Sequence, residues 1–327
     1  MNAPRVPAGP PEAMKVLRRI RHRRYADPAF RAFTTACGMV VALLMAAMFA
    51  VLIIDSWPSI KKFGVGFLWS KAWDTTAGHY GAVTALYGTF YTTVIAMVLA
   101  VPLALVIALL LVELAPPWLS RIVGTAIELL AAVPSIVFGL WGFLVLVPIM
   151  SNHVEPWIQS TFLGKLWLFQ GPPMGLGFLT AGLVLALMVL PFITAVARDV
   201  LRMVPQVVKE AGYGMGSTTW EVTRKVSLRY GLSGIVGAFF LGLGRALGET
   251  MAVAFLIGQT YDMQKSLFGT GNTITSTLAN TFAEATDSLQ RSALIELGLV
   301  LFVITGVFQL LAHLWLRRAR RRMGGRA

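Results

Sequence analysis

Six apolar stretches govern what this chain can fold into: roughly 33–54, 83–112, 121–149, 177–197, 232–258 and 294–316. A helix needs about 20 consecutive apolar residues to cross the hydrocarbon core of a bilayer, and each stretch meets that length. Backbone amides in hydrocarbon find no water to bond, so such stretches fold as helices whose hydrogen bonds close within the segment. The expected fold class is therefore all-α, a polytopic membrane protein with six transmembrane helices. Composition agrees: 56% of the 327 residues are hydrophobic, 13% are charged, and the mean hydropathy is +0.70. A soluble domain carries about 25% charged residues, so this is not an ordinary cytosolic enzyme. Pro102, Pro134 and Pro191 fall inside the stretches, where kinks are expected.

The basic residues give an orientation. The tail up to Arg31 holds Arg5, Lys15, Arg18, Arg19, Arg21, Arg23 and Arg24. Arg121 follows the second stretch, Arg198, Arg202, Lys209, Arg224, Lys225 and Arg229 lie in 198–231, and Arg317, Arg318, Arg320, Arg321, Arg322 and Arg326 close the chain. The opposite connections hold only Lys61, Lys62, Lys71, Lys165, Lys265 and Arg291. By the positive-inside rule both termini and the 198–231 loop are expected in the cytoplasm. No small-x-small cleavage site follows the first stretch, which reads as an uncleaved span. The start of the tail, with Pro4, Pro7, Pro10 and Pro11, reads as flexible, and its basic run 15–24 as lying at the anionic inner leaflet. The net charge of +13 thus belongs to membrane topology, and no nucleic-acid partner is expected.

The side-chain inventory narrows the chemistry. Cys37 is the sole cysteine and the four histidines are scattered, so no disulfide or metal site is expected. No G-x-x-x-x-G-K-[ST] occurs, so no nucleotide site is expected in this chain. The outer segments 55–82 and 153–175 are rich in Trp, Tyr and Phe, which fits headgroup-level anchors better than a lid. Segment 259–293, rich in Thr, Ser and Asn, is too long for an idle connection; lining a vestibule and contacting another protein are both open.

Arg245 and Glu249 stand out inside the fifth stretch, four apart and so on one face of a continuous helix. A charge at the bilayer centre costs about 2.5–3.5 kcal/mol on insertion scales, so these two should pair, face a polar cavity, or both. Two readings follow. In one, Arg245 attracts an anion in a pathway while Glu249 tempers its grip, since a guanidinium fork suits oxyanions. In the other, the pair pins this helix to a neighbour. Glu128 and Glu296 read first as interfacial groups or bonds to neighbouring helices, with a pathway role as the lesser alternative.

The loop 198–231 carries Glu210-Ala211-Gly212, then Gly216, then Val226-Ser227-Leu228-Arg229 nine residues on. This resembles the signature of importer-type ABC permeases, Glu-Ala-Ala, three residues, Gly, nine residues, Ile-x-Leu-Pro, with Gly212 for the second Ala and Arg229 for the Pro. Tyr87-Gly88-Thr89-Phe90-Tyr91-Thr92-Thr93, the run from Glu128 through Val133-Pro134-Ser135 to Gly142, and Gly242-Leu243-Gly244-Arg245-Ala246-Leu247-Gly248-Glu249-Thr250-Met251 are similar to the phosphate branch of that family, of PstC rather than PstA type.

The resemblance implies a type I ABC importer (MetI-like) permease fold, with transport by alternating access and no ATPase site of its own. It divides the chain into a basic tail (1–32), a first helix and external loop (33–82), a permease domain (83–316) containing a coupling loop at about 199–231, and a basic tail (317–327). Glu210, Ala211, Gly212 and Gly216 would dock on an ATPase; Arg245 and Glu249 would lie on the pathway. The implied partners are a second permease of PstA type, two ATPase subunits of PstB type carrying ATP and Mg, a phosphate-binding protein of PstS type outside, and the bilayer of a bacterial inner membrane. Permeases for sulfate, molybdate or phosphonate, and more remotely a secondary transporter, are the alternatives.

Overall fold

The computed structural model describes residues 11–324, with side chains described for 27–318. Expectations for the start of the tail, the basic run 15–24 and the arginines beyond 318 fall outside that description. The helices are α1 (Pro11–Phe63), α2 (Val83–Leu114), α3 (Pro117–Ala131), α4 (Ser135–Ser160), α5 (Phe178–Arg202), α6 (Gln206–Gly214), α7 (Thr219–Leu247), α8 (Met251–Ala254), α9 (Ile274–Thr281) and α10 (Ser288–Gly324). Six segments are long and apolar enough to span: Asp27–Leu68 and Ser288–Arg318, within or overlapping α1 and α10, together with α2, α4, α5 and α7. The chain forms two units, one ending at Ile54 and one beginning at Asp55. No residue in the apolar window of the first span is buried.

In the second unit α5 is the central helix: 61% of its apolar window is buried, against 17–33% for the other spans there. Lipid tails are as apolar as leucine, so helices associate through close packing of small residues. Ala96, Ala100, Ala104 and Ala108 of α2, spaced one turn apart, are fully buried where α2 lies against α5. Gly182 of α5 is part of this fit, since a Cβ there would come within 2.5 Å of Ile95.

Two expectations are corrected. The third apolar stretch, 121–149, is two helices, α3 and α4, separated at Ala132–Pro134. Pro134 has no N–H and disfavours the helical region for the residue before it, so the helix stops where only a kink was expected. Laid end to end α3 and α4 would measure about 60 Å, twice the hydrocarbon thickness, so they are not one straight crossing. The fifth stretch is also displaced: α7 begins at Thr219 and ends at Leu247, and the chain unwinds through Gly248–Thr250 before α8.

The segment 259–293 packs in part on its own chain. The N–H groups of Gly177, Phe178 and Leu179, orphaned at the start of α5, donate to the carbonyls of Leu256, Gly269 and Leu267 at 2.9, 3.0 and 2.8 Å. Thr89 Oγ1 accepts from Ile274 N–H at 3.0 Å, and Asn272 to Thr277 are all buried. A Cβ on Gly88 would stand 1.9 Å from the Asn272 carbonyl oxygen, so only glycine fits. Arg229, in place of the signature proline, keeps its N–H, and the chain runs through it as one helix with a π turn at Thr223–Ser227.

Candidate functional site

The loop between α5 and α7 is a helix–turn–helix device. α6 ends in a turn in which Met215, Gly216 and Ser217 N–H groups donate to the carbonyls of Ala211, Tyr213 and Gly212 at 3.2, 2.9 and 3.2 Å. Gly216 has φ +81°, the left-handed region that glycine enters without a steric penalty. Thr218 then starts α7 with a reciprocal cap: its Oγ1 accepts from Glu221 N–H at 3.3 Å, and Glu221 Oε2 accepts from Thr218 N–H at 3.1 Å.

The four residues expected to couple are divided by this geometry. Gly212 faces inward, where a Cβ would lie 3.1 Å from Val222, and so lets α6 close on the first turn of α7. Glu210, Ala211 and Gly216 face outward. Around them Met203, Val207, Tyr213, Met215 and Trp220 are also exposed, Met215 at 81%. Apolar groups this open, interleaved with a carboxylate, form a surface suited to a protein partner.

The surface is anchored by a pair that sequence reasoning missed. Lys209 Nζ donates to Glu113 Oε1 at 2.8 Å, both side chains being at most 10% exposed, which ties α6 to the end of α2. Arg198 likewise bonds Glu128 of α3 and, at 3.3 Å, Asp199. Arg202 donates to Ser120 Oγ at 3.2 Å. Charge counting treated Lys209, Arg198 and Arg202 as topology markers only. The cap could have been found, since Thr218-x-x-Glu221 is a legible capping box.

Arg245 and Glu249 are not brought together. Because α7 ends at Leu247, the one-face geometry expected of residues four apart does not hold, and no ion pair joins them among the described residues. Arg245 is exposed, its guanidinium 5.7 Å from the Phe192 ring centre on α5, a cation–π contact. Glu249 accepts from Ala252 N–H at 3.3 Å through Oε1, and its carbonyl accepts from Thr275 Oγ1 at 2.6 Å. The carboxylate thus holds the break between α7 and α8.

Residues 100–325 match the profile of the binding-protein-dependent transport system inner membrane component family. The chain belongs to that family. Among its relatives, the permease is 48% identical over 299 residues to the phosphate transport system permease protein PstC of Pasteurella multocida, covering 90% of this chain and 93% of that one. It is 45% identical to the PstC of Haemophilus influenzae over 311 residues, 94% and 98% of the two chains. Its fold resembles a chain of a bacterial alginate ABC importer, with TM-score 0.53, 16% identity and coverage of 86% and 95%. It also resembles a chain of the inward-facing MetNI methionine transporter, with TM-score 0.51, 18% identity and coverage of 72% and 93%. The expected MetI-like permease fold is borne out.

Proposed function

We propose that this permease forms one half of the translocation pathway of an ATP-driven importer for inorganic phosphate. The observation that carries the coupling mechanism is the exposed face of α6 and its turn, where Glu210 and Met215 stand open beside Trp220. That surface docks on a separate ATPase, which holds ATP and Mg; closure of two such subunits pulls on 205–230 and moves α5 and α7, to which the surface is joined directly. Both termini and this surface face the cytoplasm, in keeping with the charge bias. The PstC-type relatives support phosphate as the substrate.

Arg245 supplies the second support. An exposed guanidinium on a spanning helix is costly in lipid, so its face belongs to a polar pathway closed by a second, PstA-type permease. There it attracts the anion delivered by an external PstS-type binding protein. Glu249 acts by holding the helix end, a different role from tempering the arginine.

The test is anion uptake at micromolar concentration in cells lacking this chain, with and without it restored, comparing phosphate, sulfate and molybdate and depleting ATP in parallel. Restored, ATP-dependent phosphate uptake alone is expected. Uptake of another oxyanion would discard the substrate, and uptake indifferent to ATP would discard the coupling.

A further inference from the structure

A polar cavity of about 420 Å³ opens between the end of α2, the first half of α3 and the end of α5, lined among others by Ser120, Arg121, Thr125, Glu128, Arg198 and Arg202. Three guanidinium groups meet the Glu128 carboxylate there, with Asp199 as a second carboxylate on Arg198. Arg198, only 5% exposed, is the buried wall of the site. One of its nitrogens bonds Glu128 and Asp199, yet its Nε is buried with no hydrogen-bond partner. Arg202 has a hydroxyl as its partner, Ser120, and Arg121 is exposed without a partner among the described residues.

The seat for Arg198 is built into α3. A Cβ at Gly124 would lie 2.2 Å from Arg198 Nη1, so the glycine is what admits the guanidinium against the helix backbone. A buried cation that is only partly paired is expensive, and a guanidinium cluster contributed by two helices is matched by a group with several acceptor oxygens. A carboxylate presents two in one plane; inorganic phosphate presents four about a tetrahedral centre, and a phosphodiester headgroup two free and two ester oxygens about the same tetrahedral phosphorus. The wall at Ala115 and Pro117 leads to Trp118, 64% exposed, an aromatic suited to headgroup depth.

We propose that this cavity binds a phosphate group, carried either by inorganic phosphate or by an anionic lipid headgroup, at a site separate from Arg245. Its residues come from α3 and α5, whereas Arg245 lies on α7, so the inference is independent of which solute the permease transports.

The test uses the purified full-length chain in phosphatidylcholine nanodiscs, with thermal unfolding as the readout. One arm titrates inorganic phosphate; the other replaces part of the lipid with phosphatidylglycerol and adds no phosphate. Stabilisation of the wild-type chain is expected in at least one arm, and the arm that responds names the source. Repeating both arms in an Arg245→Gln background removes any contribution of the pathway arginine, and the stabilisation should persist there. In the double variant Arg121→Gln/Arg202→Gln the response should weaken by about tenfold or more, as expected for loss of charge-assisted bonds. If that variant does not fold, Thr125→Leu, which fills the cavity from an exposed position, should give the same loss. No stabilisation in either arm, or an undiminished response in the variant that folds, overturns the proposal.

Discussion

At the scale of single residues, the charged side chains divide into those that hold the fold and those left open. Lys209 and Glu113 are of the first kind. Lys209→Ala would strand the Glu113 carboxylate in a nearly dry site and should cost about 3 kcal/mol, read as a lowered unfolding midpoint of the purified chain. Arg245 is of the second kind. Arg245→Gln should leave the unfolding midpoint unchanged but cut phosphate uptake at least tenfold, a loss of about 1.4 kcal/mol or more in the transport step; full uptake with normal membrane levels would remove Arg245 from the pathway. Arg245 was legible because a lone charge in an apolar run is conspicuous. Its lack of contact with Glu249 was not, because that depends on where α7 stops. The Lys209–Glu113 and Arg198–Glu128 pairs bridge 96 and 70 residues, distances over which no local spacing rule operates.

At the scale of elements, the start of α7 shows how the proposed docking surface keeps its shape. Thr218→Ala removes one half of the reciprocal cap and should cost about 1 kcal/mol. Amide hydrogen exchange should rise at Thr219–Glu221 while the α5 core stays protected. The existence of the helices was legible from hydropathy, but their ends were less so. In a soluble protein a polar residue usually marks where a helix leaves the core, whereas Ala132-Val133-Pro134 and Leu247-Gly248 interrupt helices inside apolar runs. The sequence around Pro134 held the necessary sign, since a prolyl ring that is not accommodated by a neighbouring helix ends the helix before it. The coupling segment was the more readable part, because its glycine turn is short and local. Gly216 needs its left-handed φ wherever the rest of the chain goes.

At the scale of the whole molecule, the orientation rests on a charge asymmetry that labelling can check. In a Cys37→Ser background, Met215→Cys should react with a membrane-impermeant maleimide only after the cells are opened, and Thr76→Cys in intact spheroplasts. The reverse pattern would invert the topology. The segments expected outside also differ in what they can carry. Pro172 and Pro173 are exposed, in a connection between α4 and α5. Gly271 to Thr273 are buried against the start of α2, with the Phe178 ring within 2.2 Å of where a Gly271 Cβ would be. An epitope tag between Pro172 and Pro173 should therefore give a chain that reaches normal membrane levels, whereas the same tag between Gly271 and Asn272 should leave little of it by immunoblot. For anyone who needs to mount a fluorophore on this permease or raise an antibody to its outer surface, the longest outer segment is the wrong address.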